Sequence, residues 1–258
     1  MRINHAGGVK PSGEFNDLKG IKVLIATPTR DRTCGTDFAT SRQATIDLFS
    51  KYGITGYTLP YENSCYVDFS RNKFVSEFMK SDCTHLLQID SDMSWNPECV
   101  LKMLSYDKEF IAGIGRKKTD EMEFAGVNYT DSMGTIEGQT GETEEDVLIR
   151  MKYIGSAFTL HKRSVFEKLA LNFPTLRTKA TDGHFFYHSE YTADDWKTED
   201  YVFCSLCEKV GIEIWCYPNI DMGHYGMKNY AGNWFKHLKS LPQPGIELTE
   251  LEKAINNL

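Results

Sequence analysis

Two aspartates one residue apart, Asp90 and Asp92, close an apolar run in the stretch HLLQIDSDMSW, His85 to Trp95. Leu86, Leu87 and Ile89 read as a strand buried on both faces, as strands of parallel sheets are. Asn96-Pro97 then supplies a helix N-cap and a proline at the first helical position. The carboxylates therefore stand where a central strand gives way to a loop, at the carboxyl edge of a sheet. Open α/β sheets bind their ligands at that edge. Two carboxylates so close repel one another unless a cation lies between them or water screens them. The chemistry the pair points to is that of a divalent metal.

Other residues carry chemistry with competing explanations. Glu199 and Asp200 open a helix capped by Thr198, where acidic side chains also complement the helix dipole. Cys204 and Cys207 have the spacing of half a zinc or redox motif. They fall inside a helix with no second pair to complete four ligands, so packing against the sheet is the reading.

These residues need elements to hold them. KVLIA, residues 22–26, is the first strand, and it ends in Thr27-Pro28-Thr29-Arg30. The helix after it places Phe38, Thr45, Leu48, Phe49 and Tyr52 on one face, and Gly53 closes it. A short strand over residues 56–59 leads to Tyr61, Glu62 and Asn63, and residues 70–79 form a helix. The strand bearing the aspartates follows, then a helix through Val100, Leu101 and Leu104. FIAGIG, residues 110–115, is a further buried strand, followed by Arg116, Lys117 and Lys118. Strands alternating with helices predict right-handed βαβ units and a mostly parallel central sheet flanked by helices. In the second half, residues 119–150 predict hairpins and a solvated loop, and YIGSAFTL, residues 153–160, one strand. A helix starts at Arg163, residues 172–198 are expected as a flexible loop, and residues 198–210 form a helix ended by Gly211. The last strand, through Ile212, Ile214 and Cys216, leads into Asp221, Gly223, His224 and Gly226. The second half thus adds a small antiparallel region. Residues 1–20 are expected as a loose arm, 21–228 as one domain, and 229–258 as an extension with a short helix over 249–258.

Composition excludes several classes. The 258 residues are 41% hydrophobic and 25% charged, values of an ordinary globular protein. The net charge of −7 argues against a sequence-independent nucleic-acid binder. No stretch approaches the roughly 20 apolar residues of a membrane span, and residues 1–20 hold no apolar core of a leader peptide. Seven scattered cysteines, an odd number, fit reduced thiols in a cytoplasmic setting.

Four segments together carry a family resemblance: KVLIATPTR, SRNKFV leading to HLLQIDSDM, YIGSAFTLHKRSVFEKL, and TEDYVFCSLCEKVGIEIWCYPNIDMGHYG. In this order and spacing the chain resembles nucleotide-sugar-dependent glycosyltransferases of the GT-A fold, over most of residues 21–230. The resemblance implies a Rossmann-like sheet with a nucleotide-binding half at about 21–118 and an acceptor half at about 119–228. It implies transfer of a sugar from a nucleoside diphosphate sugar, such as a UDP- or GDP-sugar, to an acceptor hydroxyl. Mn²⁺ or Mg²⁺ would assist by stabilising the diphosphate leaving group.

The roles follow from that likeness. Asp92 would coordinate the metal directly, and Asp90 would bind the ribose or reach the metal through water. His224 would be a further metal ligand. Asp200 would be the general base in an inverting enzyme and Glu199 would bind hydroxyls. Thr27, Thr29, Arg30 and Glu62 would line the base and ribose. Arg71 would pair with phosphate or with Asp90, its fork suiting phosphate, and Arg116 and Lys117 would meet phosphate. Phe185, Phe186, Tyr187, Tyr191 and Trp196 would form an acceptor platform or pack in the core. The acceptor is a glycan, a protein, a lipid carrier or a modified base in DNA, and stereochemistry and oligomeric state stay open. Two rival readings are a nucleotidyltransferase, which would carry a glycine-rich phosphate loop after the first strand, and a non-catalytic nucleotide- or sugar-binding domain.

Overall fold

Leu24 faces one side of the first strand, and Val23 and Ile25 the other, and each side meets its own layer of helices. This alternation within a strand buried on both faces builds three layers, helices over sheet over helices. A computed structural model describes residues 3–5, 15–59, 62–130, 135–140, 143, 146–193 and 195–241 of the chain. Among these residues ten strands form one sheet. From one edge the order is Thr55–Thr58, Lys22–Ala26, His85–Ile89, Phe158–Lys162, Phe110–Ala112, Ile214–Cys216, Val147–Ile154, Ile136–Thr140 and Ile3–His5. Gly126–Asn128 also pairs with Val147–Ile154. Phe158–Lys162 and Val147–Ile154 run against their neighbours, and the other strands share one direction. The fold is α/β with a mostly parallel central sheet.

Among the described residues six α-helices complete the layers: α1 Thr36–Lys51, α2 Val67–Lys80, α3 Glu98–Ser105, α4 Arg163–Asn172, α5 Glu199–Lys209 and α6 Trp234–Ser240. Phe38 and Phe49 of α1 pack with Val100, Leu101 and Leu104 of α3 on one face of the sheet. Phe74 and Phe78 of α2, Phe166 of α4, Phe203 of α5 and Trp234 of α6 share the other. Each fully buried side chain of this size contributes about 1.5–3 kcal/mol relative to exposure. Gly53 at φ +68° and Gly211 at φ +73° turn the chain out of α1 and α5 in the left-handed region that glycine enters without strain. Asn96 Oδ1 accepts from the Glu98 N–H at 3.1 Å, so Asn96 caps α3 ahead of Pro97.

Several expectations need correction. The 153–160 segment is two strands, because Gly155-Ser156-Ala157 turns the chain between Val147–Ile154 and Phe158–Lys162. Residues 172–198 are not a loose loop. Two short hairpins form there, and Phe186 and Tyr187 between them are buried. Asn72 grips the Tyr187 backbone at both ends, donating to its carbonyl at 2.6 Å and accepting from its N–H at 2.9 Å. The arm is tied down where it is described: Ile3–His5 pairs with Ile136–Gly138, and Leu18 is buried. Helix α6 was not anticipated and packs Trp234 and Leu238 into the core. The helix expected over 249–258 lies outside the described residues. No helix among them is long and apolar enough to cross a membrane.

Candidate functional site

The parallel strands Lys22–Ala26 and His85–Ile89 end side by side, and their exits form one cleft. Thr29, Arg30, Ser64, Asp90 and Asp92 line it, enclosing about 220 Å³. The two aspartates share a turn, with the Met93 N–H donating to the Asp90 carbonyl at 3.2 Å. Their side chains nevertheless face different partners.

Asp90 belongs to Arg71. Arg71 stands on α2 at 3% exposure, and its Nη2 donates to Asp90 Oδ1 at 2.9 Å while Nη1 donates to the Ser156 carbonyl at 3.1 Å. Its Nε has no hydrogen bond and lies 3.8 Å from Glu199 Oε1. One buried guanidinium thus joins the aspartate loop to the start of α5. Burial and the neighbouring Asp200 push the Glu199 carboxyl above its usual range, against the pull of Arg71. Asp200 turns the other way. Its Oδ1 accepts from the Thr198 hydroxyl and the Tyr201 N–H, and its Oδ2 lies against Gly155.

Asp92 belongs to His224. A two-stranded ribbon pairs Met93–Trp95 with Met222–His224, setting His224 beside Met93. The Tyr225 N–H donates to the Asp92 carbonyl at 2.8 Å, closing the register. His224 Nδ1 donates to the Arg116 carbonyl at 2.8 Å, so its Nε2 points at Asp92 Oδ1, 3.5 Å away. That distance is too long for a full hydrogen bond, and Oδ1 is buried without another partner. Asp92 Oδ2 takes Lys118 Nζ at 2.5 Å. Burial pushes the Asp92 carboxyl up, but His224 and Lys118 outweigh it and hold its pKa at about 2. Burial draws His224 down, while Asp92 and the Arg116 carbonyl more than offset this and raise it.

This pair fits a divalent cation. An imidazole fixed through its other nitrogen by a backbone carbonyl, facing an orphaned carboxylate oxygen, is the supporting arrangement seen behind metal-ligating histidines. Among the described residues no group of three or more His, Cys, Asp and Glu gathers for a metal. Asp90, expected to bind the ribose or reach the metal through water, gives its Oδ1 to Arg71, so any further ligands would come from phosphate and water, as is usual for Mg²⁺.

Other expected residues are placed as follows. Thr29 and Arg30 line the cleft, whereas Thr27 is buried beneath it in the chain between strands. Glu62 lies in a short strand beside Pro28, and its side chain is outside the described residues. Lys117 pairs with Glu123 at the surface, 3.0 Å away, because the chain turns there. Lys118, not singled out beforehand, is the lysine that reaches Asp92, and Gly226 lies against its stem. Arg116 has its Nη2 engaged by the carbonyls of Thr119, Asp120 and Glu121. Lys117, Lys118 and His224, with Gly155 and Ile114, border a second pocket of about 300 Å³. Cys204 and Cys207 are free and buried, and burial pushes the Cys204 thiol up to about 12. Of the aromatic cluster, Phe186 and Tyr187 are core, while Tyr191 and Trp196 are 75% and 61% exposed.

No protein-family model matches the chain, and no curated protein matches it in sequence. Among solved structures it is similar to A197 from STIV, with 15% identity over 89% of this chain and 97% of that one, at a TM-score of 0.48. It is similar to a glycosyltransferase involved in the glycosylation of the major capsid of PBCV-1, with 13% identity over 61% and 68% of the two chains, at 0.32. It is also similar to 4-diphosphocytidyl-2C-methyl-D-erythritol synthase from Anaerococcus prevotii, with 12% identity over 78% and 88%, at 0.36. Scores this low carry no conclusion about activity.

Proposed function

We propose that the chain is a GT-A-type glycosyltransferase, moving a sugar from a nucleoside diphosphate sugar to an acceptor hydroxyl with a divalent cation held by Asp92 and His224. The observation that carries this reading is the facing pair itself, Asp92 Oδ1 and His224 Nε2 at 3.5 Å, with Asp92 lining the sheet-edge cleft and His224 the pocket beside it. When bound, Mn²⁺ or Mg²⁺ would stabilise the charge of the departing diphosphate.

The chain's own residues do the rest. Thr29 and Arg30 receive the nucleoside along the cleft. Arg71 holds Asp90 in place by its fork, leaving Asp90 Oδ2 to accept from the ribose. The pocket beside His224 and Gly155 receives the transferred sugar. Asp200 Oδ2, the oxygen not used by Thr198 and Tyr201, stands at Gly155 to take the acceptor's proton. Glu199, with its raised pKa, binds hydroxyls beside Arg71. The acceptor favoured is a glycan: Tyr191 and Trp196 lie parallel, 4° apart at 6.2 Å, on the hairpin that leads into α5. Exposed parallel rings offer a flat face to a pyranose.

The test is donor hydrolysis with a panel of UDP- and GDP-sugars, in Mn²⁺, Mg²⁺ or chelator. Metal-dependent release of nucleoside diphosphate supports the reading, and Asp92→Ala lowers it by about 100-fold or more, the scale of removing one transition-state contact. Pyrophosphate release from a nucleoside triphosphate and a sugar phosphate would assign nucleotidyl transfer instead. Binding of nucleoside diphosphates without any turnover would leave a binding domain.

A further inference from the structure

Asp90 and Asp92 are neutralised by cations of opposite character. Arg71 is buried, branched to the Ser156 carbonyl, and fixed. Lys118 is a point charge on a flexible stem, and its side chain and that of Asp92 are 34% and 39% exposed. An ion pair this exposed is worth at most about 1 kcal/mol, so it is easily exchanged. Its route is nonetheless built. The Lys118 stem crosses Gly226, where a Cβ would come within 3.1 Å of its Cδ, and the Asp92 backbone is pinned by Tyr225. The ammonium approaches Asp92 Oδ2 while His224 Nε2 faces Oδ1, so both oxygens of the carboxylate are already addressed. A divalent ion bound at Asp92 would repel an ammonium at that range.

Resting on the metal reading above, we propose that Lys118 is an exchangeable counter-ion of this seat. It neutralises Asp92 in the free protein, yields to the divalent cation, and then turns its ammonium to the diphosphate of the donor. The released charge and the incoming phosphates are complementary, and the Lys118–Asp92 pair joins the two pockets, Asp92 lining the cleft and Lys118 the pocket beside His224. Metal and nucleotide would thereby load in an ordered way, each favouring the other through one side chain.

The experiment is a Mn²⁺ titration followed by electron paramagnetic resonance and calorimetry, on the full chain without nucleotide. It compares the native protein with Lys118→Met, Lys118→Arg and Asp92→Asn. A second titration adds UDP or GDP at saturating Mn²⁺. Lys118→Met should bind Mn²⁺ up to about fivefold more tightly and the diphosphate up to about fivefold more weakly, the range of one such ion pair. Lys118→Arg should keep native Mn²⁺ affinity, and Asp92→Asn should lose it. If Lys118→Met binds Mn²⁺ no more tightly than native while Asp92→Asn loses it, the exchange is refuted and the metal seat stands. If neither native protein nor Lys118→Met binds Mn²⁺ at millimolar concentration, both readings fall.

Discussion

Arg71 reaches Asp90 from within the fold: the guanidinium is at 3% exposure, yet its Nη2 meets Asp90 Oδ1 at 2.9 Å on the cleft wall. The interior thus supplies the charge that lets a carboxylate stand at the cleft, and Glu199 shares it from 3.8 Å.

Removing that charge should be costly. Arg71→Met leaves Asp90 and Glu199 without their cation and the Ser156 carbonyl without its donor, which should cost about 3–5 kcal/mol of stability. Urea unfolding near neutral pH measures it. A loss under about 1 kcal/mol would show that water already compensates these groups.

The Asp92–His224 pair predicts an opposing response of stability and metal binding to pH. His224 is raised above 6.5, so its contribution to stability is complete below 6.5 and is lost as pH rises through its folded value. Asp92 is lowered from 3.8 to about 2, so its contribution is present above 3.8 and is lost as pH falls through about 2. The pair therefore stabilises most between 3.8 and 6.5. A metal needs the neutral imidazole, so Mn²⁺ affinity should rise with pH above 6.5, releasing up to one proton per ion. Calorimetry in buffers of different ionisation enthalpy counts that proton, and His224→Asn should abolish its release.

Acid should unfold the protein through its core. His161 is fully buried with neither ring nitrogen bonded, its centroid 4.3 Å from that of Phe110, and burial draws its pKa to about 3. His85 on the neighbouring strand is drawn to about 4, by burial first and Lys162 second. Both lie below the usual 6.5, so the unfolded chain takes up protons first and stability falls as pH drops below 6.5. With two such groups the slope approaches about 2.7 kcal/mol per pH unit. His161→Leu should halve the slope, read from urea midpoints between about pH 7 and pH 4.5. An unchanged slope would place the acid sensitivity elsewhere.

The exposed aromatic pair separates acceptor from donor. Trp196→Ala should raise KM for a glycan acceptor about tenfold, as loss of one stacking contact of roughly 1.4 kcal/mol would. Metal-dependent donor hydrolysis should be unchanged. Loss of both together would mean that the hairpin supports α5 rather than the acceptor.

Much of this was legible in the chain. The run Leu86-Leu87-Gln88-Ile89 announces a buried strand, and its exit fixes where Asp90 and Asp92 stand. The helices around Phe38 and Phe49, and around Phe74 and Phe78, follow from spacing alone. What the sequence hid is set by contacts between distant segments. The division of labour between the aspartates depends on Arg71 being buried and on Met222–His224 pairing with Met93–Trp95. Neither is a local property. Lys118 over Lys117 is a matter of which way one turn faces. The 172–198 segment looked loose because its order comes from Asn72 and the core and not from any period of its own.

The ribbon that brings His224 to Asp92 has a thermodynamic meaning beyond the cleft. It fastens the turn after a central strand to the segment that leads into α6, so the ribbon works as a clasp between distant parts of the chain. A cation held by both residues binds only when that clasp is shut. Each tenfold excess of free cation over its dissociation constant therefore adds about 1.4 kcal/mol to global unfolding. On the proposed metal reading, cation loading should register as a rise in the melting temperature of the whole molecule rather than of one loop.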